Sequence, residues 1–367
     1  MKIGILGTRG IPNHHGGFEQ FAEYFAVYAA EQGHEVYVYN SSLHPYKNST
    51  FRGVKLVHCR DSEDKIGTAG QFFYDLNCML DARKRNFDVL LQLGYTSNAI
   101  WYKFLPKKVI VATNMDGLEW KRSKYSPKIQ KFLKWSEKLA VKSSDFLIAD
   151  SKGIQSYLKE KYQKEAEFIA YGAMPFDEPK PEILSFFSVE AFKFHMLIAR
   201  MEPENNIETI LDGYVLSDMK FPFLVVGDAQ KTSFGKKLLA KFKDINQIRF
   251  LGAIYDLDQL NNLRYYSQFY FHGHSVGGTN PSLLEAMASQ AHIVAHQNKF
   301  NAAILENDAY YFQNSQEVAS ILIGENRRED FIKNNFQKIE KTYNWPVVNQ
   351  QYLNFLMKIG KNKHSSL

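Results

Sequence analysis

Short apolar runs of strand length alternate with helix-patterned segments along almost the whole chain. The apolar runs are predicted strands, at residues 2–7, 35–39, 54–58, 88–93, 108–113, 145–150, 166–170, 193–199, 221–227, 247–251, 268–272 and 291–295. Predicted helices lie between most of them, at 18–32, 68–85, 127–142, 152–162, 205–217, 233–243, 281–289 and 328–342. Near-continuous apolar strands that alternate with helices are typical of parallel sheets covered on both faces. The sequence therefore predicts an α/β fold.

The chain is long enough for two such domains, because 367 residues exceed the common size of one. The alternation lapses at mid-chain, where glycine, proline and acidic residues cluster. We predict a doubly wound Rossmann-like domain at 1–172, a linker at 173–190 and a second such domain at 191–342. The two domains are expected to face each other across a cleft. A C-terminal helix at 343–367 is expected to pack back toward the first domain.

Composition and charge narrow the function classes. Hydrophobic residues make up 45% and charged residues 23%, which is typical of a soluble globular protein. No apolar stretch approaches the roughly 20 residues of a membrane span. Cys59 and Cys78 lack metal-ligand spacing and suggest no disulfide framework, so we expect a cytoplasmic protein without a metal. Residues 1–175 hold 25 Lys and Arg against 18 Asp and Glu, which favours an anionic partner for the first half.

A glycine-rich loop follows the first predicted strand and leads into the first helix. Its backbone N–H groups and the helix N-terminus suit a phosphate or a sugar. The candidate residues of this acceptor or phosphate loop are Arg9, Gly16, Gly17 and Glu19. The alternatives are glycines needed only for tight packing and a Glu19 that merely complements the helix dipole. An NAD-dependent oxidoreductase is disfavoured, because the glycines do not read G-x-G-x-x-G and strand 35–39 ends in Asn40 rather than an acid.

Two further features stand out in the first half. Asp116 directly follows strand 108–113, a site position in this fold, and it is a candidate catalytic residue or a simple turn residue before glycine. Residues 121–142 interleave lysines and aromatic residues around the single acidic residue Glu137. Such a helix suits an anionic membrane surface, although it equally suits a solvated helix that covers the sheet. Nucleic acid is not an expected partner, since it would leave the glycine loops unexplained.

The second half places candidate ligand residues after its strands. Arg200 ends strand 193–199 and offers a bidentate fork to a phosphate, or pairs with Glu202 or Glu204. Gly252 and Ile254 follow strand 247–251 and suit a nucleobase edge.

The strongest signal is the segment from His272 to Ala288. A loop of His274, Gly277, Gly278, Thr279 and Asn280 precedes Pro281, which suits the first position of a helix. The amides of Gly277–Asn280 would then cradle an anion at the helix N-terminus. Glu285, one turn into an apolar helix, needs hydrogen bonds, for example from ribose hydroxyls. His272 and His274 have no further ligands nearby that would indicate a metal.

Together these motifs resemble those of family 4 glycosyltransferases of GT-B fold, over essentially the whole chain. The resemblance rests on Gly16-Gly17-Phe18-Glu19, on Arg200 and on Ser282-Leu283-Leu284-Glu285-Ala286-Met287. More narrowly, Gly7-Thr8-Arg9-Gly10-Ile11-Pro12 and Asp116-Gly117-Leu118-Glu119-Trp120 resemble the bacterial rhamnosyltransferase branch, which builds capsule or cell-wall polysaccharide.

The resemblance implies retaining, metal-independent and cofactor-free transfer of a sugar from a nucleotide diphosphate donor, with rhamnose from dTDP-rhamnose as the first expectation. The acceptor would be a glycan or a lipid-diphosphate-linked glycan at the inner face of the plasma membrane. Arg200 and Gly278–Asn280 would stabilise the leaving diphosphate, Asp116 would position the donor sugar or the acceptor, and Glu285 would hold the ribose.

The sequence departs from the family pattern at two points. Gly277 stands where the family has the first glutamate of a pair, and Asn205 or Asn206 stands where it has a lysine. We interpret both as a change of donor. A catalytically weak binding or scaffold subunit and a sugar-nucleotide epimerase of the same fold stay open as alternatives.

Overall fold

The computed structural model describes residues 1–14, 16–115, 117–122, 125–276 and 278–364. The strands are β1 (Lys2–Leu6), β2 (Glu35–Ser41), β3 (Thr50–Phe51), β4 (Val54–Cys59), β5 (Val89–Leu93), β6 (Ile110–Asn114), β7 (Phe146–Ala149), β8 (Ala166–Phe168), β9 (His195–Ile198), β10 (Phe223–Val226), β11 (Ile248–Gly252), β12 (Phe269–His272), β13 (Ile293–His296) and β14 (Tyr310–Phe312). The helices are α1 (Gly17–Glu31), α2 (Glu63–Ile66), α3 (Ala69–Ala82), α4 (Pro127–Ser143), α5 (Lys152–Tyr162), α6 (Ile207–Leu216), α7 (Ser233–Phe242), α8 (Leu257–Tyr266), α9 (Pro281–Ala288), α10 (Lys299–Leu305), α11 (Ser315–Gly324), α12 (Glu329–Lys338) and α13 (Trp345–His364).

The backbone contacts divide the chain into two compact units. The first unit contains Met1–Lys121, Tyr125–Tyr171 and the segment that begins at Trp345. The second contains Gly172–Asn344 together with Arg122. The segment 173–190, predicted as a linker, lies within this second unit, where a 3-10 helix at Pro181–Phe187 buries Ile183 and Leu184.

The first unit is built on an eight-stranded sheet in the order β3-β4-β2-β1-β5-β6-β7-β8. Every pair is parallel except β3 with β4. On one face α1 packs through its helically spaced aromatic residues, and Phe21 and Phe25 are buried. Their rings contact Tyr352 of α13, and Phe21 also contacts Trp345. The last helix of the chain therefore completes the core of the unit in which the chain begins.

The second unit is built on a six-stranded, wholly parallel sheet in the order β11-β10-β9-β12-β13-β14. Its core is apolar and rich in phenylalanine, as in Phe223, Phe269 and Phe271. Because all strands run the same way, the loops that follow β9, β10, β11 and β12 meet at one edge of the sheet. That edge positions the candidate site.

All twelve predicted strands and all eight predicted helices are present, so the α/β prediction is confirmed. The sequence pattern missed β3, β14, α2, α8, α10 and α11. The missed strands have only two and three residues, too few for a periodicity to appear. No helix among the described residues combines the length and the apolar character needed to cross a bilayer.

Candidate functional site

Arg200 lies in the loop after β9, one of the two central strands of the second sheet. Its side chain is exposed, and within the described part of the chain its guanidinium makes no hydrogen bond or ion pair. The alternative of an ion pair with Glu202 or Glu204 is therefore not realised. An uncompensated guanidinium at the carboxyl edge of a parallel sheet is available to an anionic ligand.

Two adjacent asparagines join the β9 loop to the β12 loop. The Asn205 Nδ2 donates to the Arg200 carbonyl oxygen at 2.7 Å, and the Asn205 Oδ1 lies 2.8 Å from His274 Nδ1. Asn206 adopts a left-handed φ of +50° and donates from Nδ2 to the Gly273 carbonyl oxygen at 2.7 Å. Gly273 has to be glycine, because a Cβ there would lie 2.0 Å from the Asn205 carbonyl oxygen. Both asparagines thus have a structural role at this sheet edge.

His274 is held in one tautomer by this network. Because Asn205 Nδ2 donates to a carbonyl, its Oδ1 must accept, and His274 Nδ1 therefore carries the hydrogen. Burial, followed by nearby positive charges that include Arg200, lowers the pKa of His274 to about 4. The ring is consequently neutral at physiological pH. Burial also lowers the pKa of His272 to about 3.

The loop before α9 forms a regular helix start. Asn280 is the N-cap residue, and its Oδ1 accepts from the backbone N–H of Ser282 at 2.9 Å, with Pro281 at the first helical position. Thr279 is buried and Gly278 is half-buried. Gly277 lies outside the described residues. The positive end of the α9 dipole thus lies at the same sheet edge as Arg200.

Glu285 has a partner that sequence reasoning missed. Its Oε2 lies 2.5 Å from Nη2 of Arg264, whose side chain is only 1% exposed. Arg264 also donates from Nη1 to Asn261 Oδ1 at 3.0 Å. We expected ribose hydroxyls to satisfy this carboxylate, whereas the protein itself supplies one strong bond. The Glu285 side chain keeps 27% of its surface exposed.

Gly252 and Ile254 lie at the same sheet edge. Gly252 ends β11 with a φ of +74°, and its carbonyl oxygen accepts from the N–H of Gly227 at 2.8 Å. No atom lies within 4 Å of the position that a Cβ would take at Gly252, so the space beside it is open. Ile254 is half-buried.

At the corresponding edge of the first sheet, the charged side chains bond to groups of the protein itself. Arg9 forms an ion pair with Glu63 and another with Asp61 at 3.1 Å, and the side chain of Asp61 is fully buried. Glu19 Oε1 accepts from the backbone N–H of Arg9 at 2.8 Å. Gly16 is the N-cap residue of α1, and the Gly17 carbonyl oxygen accepts from a tyrosine hydroxyl at 3.1 Å. In this loop the charges that we assigned to a ligand are satisfied within the protein.

Two more polar residues complete that edge. Asn40, at the end of β2, accepts from the N–H of Ile11 at 3.2 Å and donates to its carbonyl oxygen at 2.8 Å, so it ties down the glycine loop. Asp75 is buried on α3 and accepts from Ser97 Oγ at 2.5 Å. Burial raises the pKa of Asp75 to about 7.

Asp116 lies outside the described residues, but the residues on either side of it are anchored. The backbone N–H of Met115 donates to the Ile148 carbonyl oxygen at 2.9 Å, and the Tyr95 hydroxyl donates to the Gly117 carbonyl oxygen at 3.3 Å. Trp120 Nε1 donates to Glu137 Oε2 at 2.9 Å.

Glu137 is a second residue whose role the sequence did not reveal. Its side chain is 1% exposed at the centre of the lysine-rich helix α4. Besides Trp120, its donors are the Tyr157 hydroxyl at 2.7 Å, Lys161 Nζ at 2.8 Å, the Tyr162 hydroxyl at 2.5 Å and the Tyr95 hydroxyl at 3.5 Å. Burial, followed by the Glu137 carboxylate, raises the pKa of Tyr157 and Tyr162, so both stay donors. Three of these donors share α5, but Glu137, Trp120 and Tyr95 come from other parts of the chain, so no sequence spacing signals the cluster.

Comparisons with known proteins agree with this architecture. A family model described as a domain of unknown function (DUF1972) matches residues 1–174. The "Uncharacterized glycosyltransferase MJ1069" of Methanocaldococcus jannaschii is 22% identical over 384 residues, which cover 96% of this chain and 97% of that protein.

Among solved structures, sucrose-phosphate synthase from Thermosynechococcus elongatus matches with a TM-score of 0.80 at 15% identity, over 98% of both chains. Anabaena HepE in complex with UDP matches with a TM-score of 0.73 at 16% identity, over 98% of this chain and all of that one. HepE is also known in complex with UDP-glucose. The predicted GT-B fold is thereby confirmed.

Proposed function

We propose that the chain is a glycosyltransferase that moves a sugar from a nucleotide diphosphate donor to a hydroxyl group of an acceptor. The observation that carries this proposal is the exposed Arg200 guanidinium, which has no partner among the described residues, beside neutral His274 and the α9 N-terminus. Arginine forks and helix N-termini both suit phosphate oxygens. The name of the Methanocaldococcus relative and the UDP and UDP-glucose complexes of HepE support the same activity.

The proposed reaction breaks the bond between the anomeric carbon and the diphosphate and forms a bond from that carbon to the acceptor oxygen. Arg200 and the α9 N-terminus stabilise the charge that develops on the leaving diphosphate. In a front-face reaction with retention, a leaving phosphate oxygen takes the acceptor proton, so no protein base or metal ion is required. Glu285 retains an exposed edge for the ribose hydroxyls, and Asp116 positions the donor sugar or the acceptor.

For the donor we propose dTDP-rhamnose, as expected for the rhamnosyltransferase branch of family 4. Support comes from the loop sequences at 7–12 and 116–120 and from the two departures at Gly277 and Asn205. The bonds from Asn205 to Arg200 and His274 make this edge different from one that carries a lysine. UDP-glucose is the competing donor, because HepE binds it.

For the acceptor we propose a lipid-diphosphate-linked glycan at the cytoplasmic face of a membrane. Helix α4 supports this choice, because its only acidic residue, Glu137, is buried while its lysines are exposed. Ile129 and Trp135 are 46% and 50% exposed on the same helix. Lysines with exposed apolar side chains suit an anionic bilayer surface.

The donor is tested by thermal shift with dTDP-rhamnose, UDP-glucose, UDP-GlcNAc, GDP-mannose and NAD. A ligand of the native state raises the melting temperature by mass action. We expect one nucleotide sugar to do so and Arg200→Ala to lose the shift. Stabilisation by NAD alone would contradict the proposal. Binding without transfer or hydrolysis would favour the scaffold alternative.

The membrane surface is tested by sedimentation with vesicles of phosphatidylglycerol or of phosphatidylcholine. We expect binding to the anionic vesicles only, and a loss of binding in a variant with Lys128→Gln, Lys131→Gln and Lys138→Gln. Binding to nucleic acid but not to either vesicle would contradict this part of the proposal.

A further inference from the structure

Among the residues that the structure describes, three lysine ammonium groups surround the indole of Trp120. Lys134 Nζ lies 4.8 Å from the ring centroid, Lys161 Nζ 5.3 Å and Lys121 Nζ 5.4 Å. They come from three different elements: α4, α5 and the 3-10 helix at Glu119–Lys121. We call these four residues the Trp120 cluster.

The indole at the centre of the Trp120 cluster is held in place by a hydrogen bond to a buried carboxylate. Its Nε1–H donates to the buried carboxylate of Glu137, which the hydroxyls of Tyr157 and Tyr162 also hold. Ring contacts with Tyr157 add to this support, with centroids 6.4 Å apart. The ring is therefore preorganised, which lowers the entropic cost of binding a ligand on it.

The charge of the Trp120 cluster is only partly compensated. Glu137 accepts from Lys161 Nζ at 2.8 Å and so neutralises one lysine. Within the part of the chain that the structure describes, neither Lys121 nor Lys134 forms an ion pair, and both are exposed. An indole face attracts each ammonium by only about 0.5–1 kcal/mol at an exposed site. Two like charges held beside one ring are complementary to a group that carries two negative charges.

We propose that the Trp120 cluster is a binding site for a phosphate or diphosphate group, and that this group belongs to the acceptor. The assignment to the acceptor rests on the proposed function, in which the diphosphate of the donor is bound by Arg200 on the second unit. The Trp120 cluster lies on the first unit, and two of its members, Trp120 and Lys121, follow Asp116 closely in the sequence. Lys121 and Lys134 bind the phosphate oxygens, and the fixed indole keeps their two ammonium groups beside the same ring.

The site is tested with inorganic pyrophosphate as the probe, by titration calorimetry on the Arg200→Ala protein, so that the donor site does not contribute. We expect Lys121→Gln and Lys134→Gln each to weaken pyrophosphate binding 5- to 10-fold, as expected for the loss of about 1–1.4 kcal/mol per contact. Lys138→Gln is the matched control, because Lys138 is exposed on the same helix one turn further on. It is expected to leave pyrophosphate affinity unchanged.

Equal effects of all three substitutions would overturn the proposal, because they would show a diffuse basic surface. Undetectable binding of pyrophosphate would also overturn it. The titration contains no phosphatidylglycerol vesicles. Binding of pyrophosphate there would therefore show that the site takes a diphosphate without a lipid headgroup, and it would support the proposal. A parallel thermal shift with UDP on the Lys134→Gln protein is expected to match the unsubstituted protein. Failure at the Trp120 cluster is therefore distinguishable from failure of the donor site.

Discussion

Arg9 and Arg200 occupy similar positions at the carboxyl edges of the two sheets, but they differ in whether a described carboxylate pairs with the guanidinium. Arg9 is neutralised by Asp61 and Glu63, so the first edge is held together by ion pairs. The second edge is held by the neutral amides of Asn205 and Asn206, and the guanidinium of Arg200 has no ion-pair partner in the part of the chain that the structure describes. An arginine at the end of a strand therefore indicates a ligand site only where its charge has no partner inside the protein.

The largest expected effect is on stability, at Arg9. Arg9→Met leaves the fully buried Asp61 carboxylate without its cationic partner, so we expect the free energy of unfolding to fall by about 3–5 kcal/mol. Urea denaturation measures the change. Adding Asp61→Asn to Arg9→Met should recover part of the loss. Weaker nucleotide binding with unchanged stability would show that Arg9 is a ligand residue after all.

At Arg200 we expect the opposite pattern. Arg200→Ala should reduce turnover by about 10²–10³-fold, as for the loss of one group that stabilises a developing negative charge. The free energy of unfolding should stay within about 0.5 kcal/mol, since the side chain removed is exposed and makes no bond to any described residue. Arg200→Lys, which keeps the charge without the fork, should be intermediate. A stability loss as large as that of Arg9→Met would break the comparison.

Asp75 tests the charged edge through pH. Its pKa of about 7 in the folded protein lies above the ordinary value, so between about pH 4 and pH 7 the folded state binds more protons than the unfolded state. Stability should therefore fall as pH rises through this window and level off above it. Asp75→Asn should flatten the profile. The free energy of unfolding of the variant, compared with that of the unsubstituted protein, should be about 2–3 kcal/mol more favourable at pH 8 than at pH 5. Thermal unfolding at both pH values measures it, and an unchanged slope in the variant would contradict the assignment.

The smallest effect is expected at the neutral edge. Asn206→Ala removes the hydrogen bond to the Gly273 carbonyl oxygen, and alanine is less suited than asparagine to a positive φ. We expect the free energy of unfolding to fall by about 1–2 kcal/mol. Asn206→Gly tolerates the same φ and should cost less. Because no charge is involved, the loss in Asn206→Ala should be the same at low and high salt, unlike that of Arg9→Met. Denaturation at two ionic strengths measures this difference.

The sequence predicts the sheets well because their strands are buried on both faces and read as continuous apolar runs. Elements without such a run were missed, as in the three-residue strand β14 and the helix α8. Helix α8 carries Arg264, so the partner of Glu285 was missed with it. The local sequence pattern indicates which residues are buried. Elements such as β14 and α8 lack that pattern, because they are stabilised by contacts with residues distant in the sequence.

The candidate site was predicted at the level of its loops but not at the level of its bonds. Arg200 and Asn280 follow from their positions after a strand and before a helix. The satisfied state of Arg9 and the cluster around Glu137 do not, because Asp61, Glu63, Tyr157 and Lys161 are brought in by tertiary packing. Glu137, the single acidic residue of this basic helix, accepts hydrogen bonds from the side chains of Trp120, Tyr157, Lys161, Tyr162 and Tyr95.

The packing of α13 has a consequence for synthesis on the ribosome. The chain leaves the first unit after Tyr171 and returns to it only at Trp345, so the second unit is made in between. Until Trp345 and Tyr352 have been translated, Phe21 and Phe25 lack the rings that cover them. The first unit, although its translation starts first, thus cannot complete its native packing until α13 has been made. The nascent chain carries an uncovered aromatic surface through most of its translation, a state in which chaperones act.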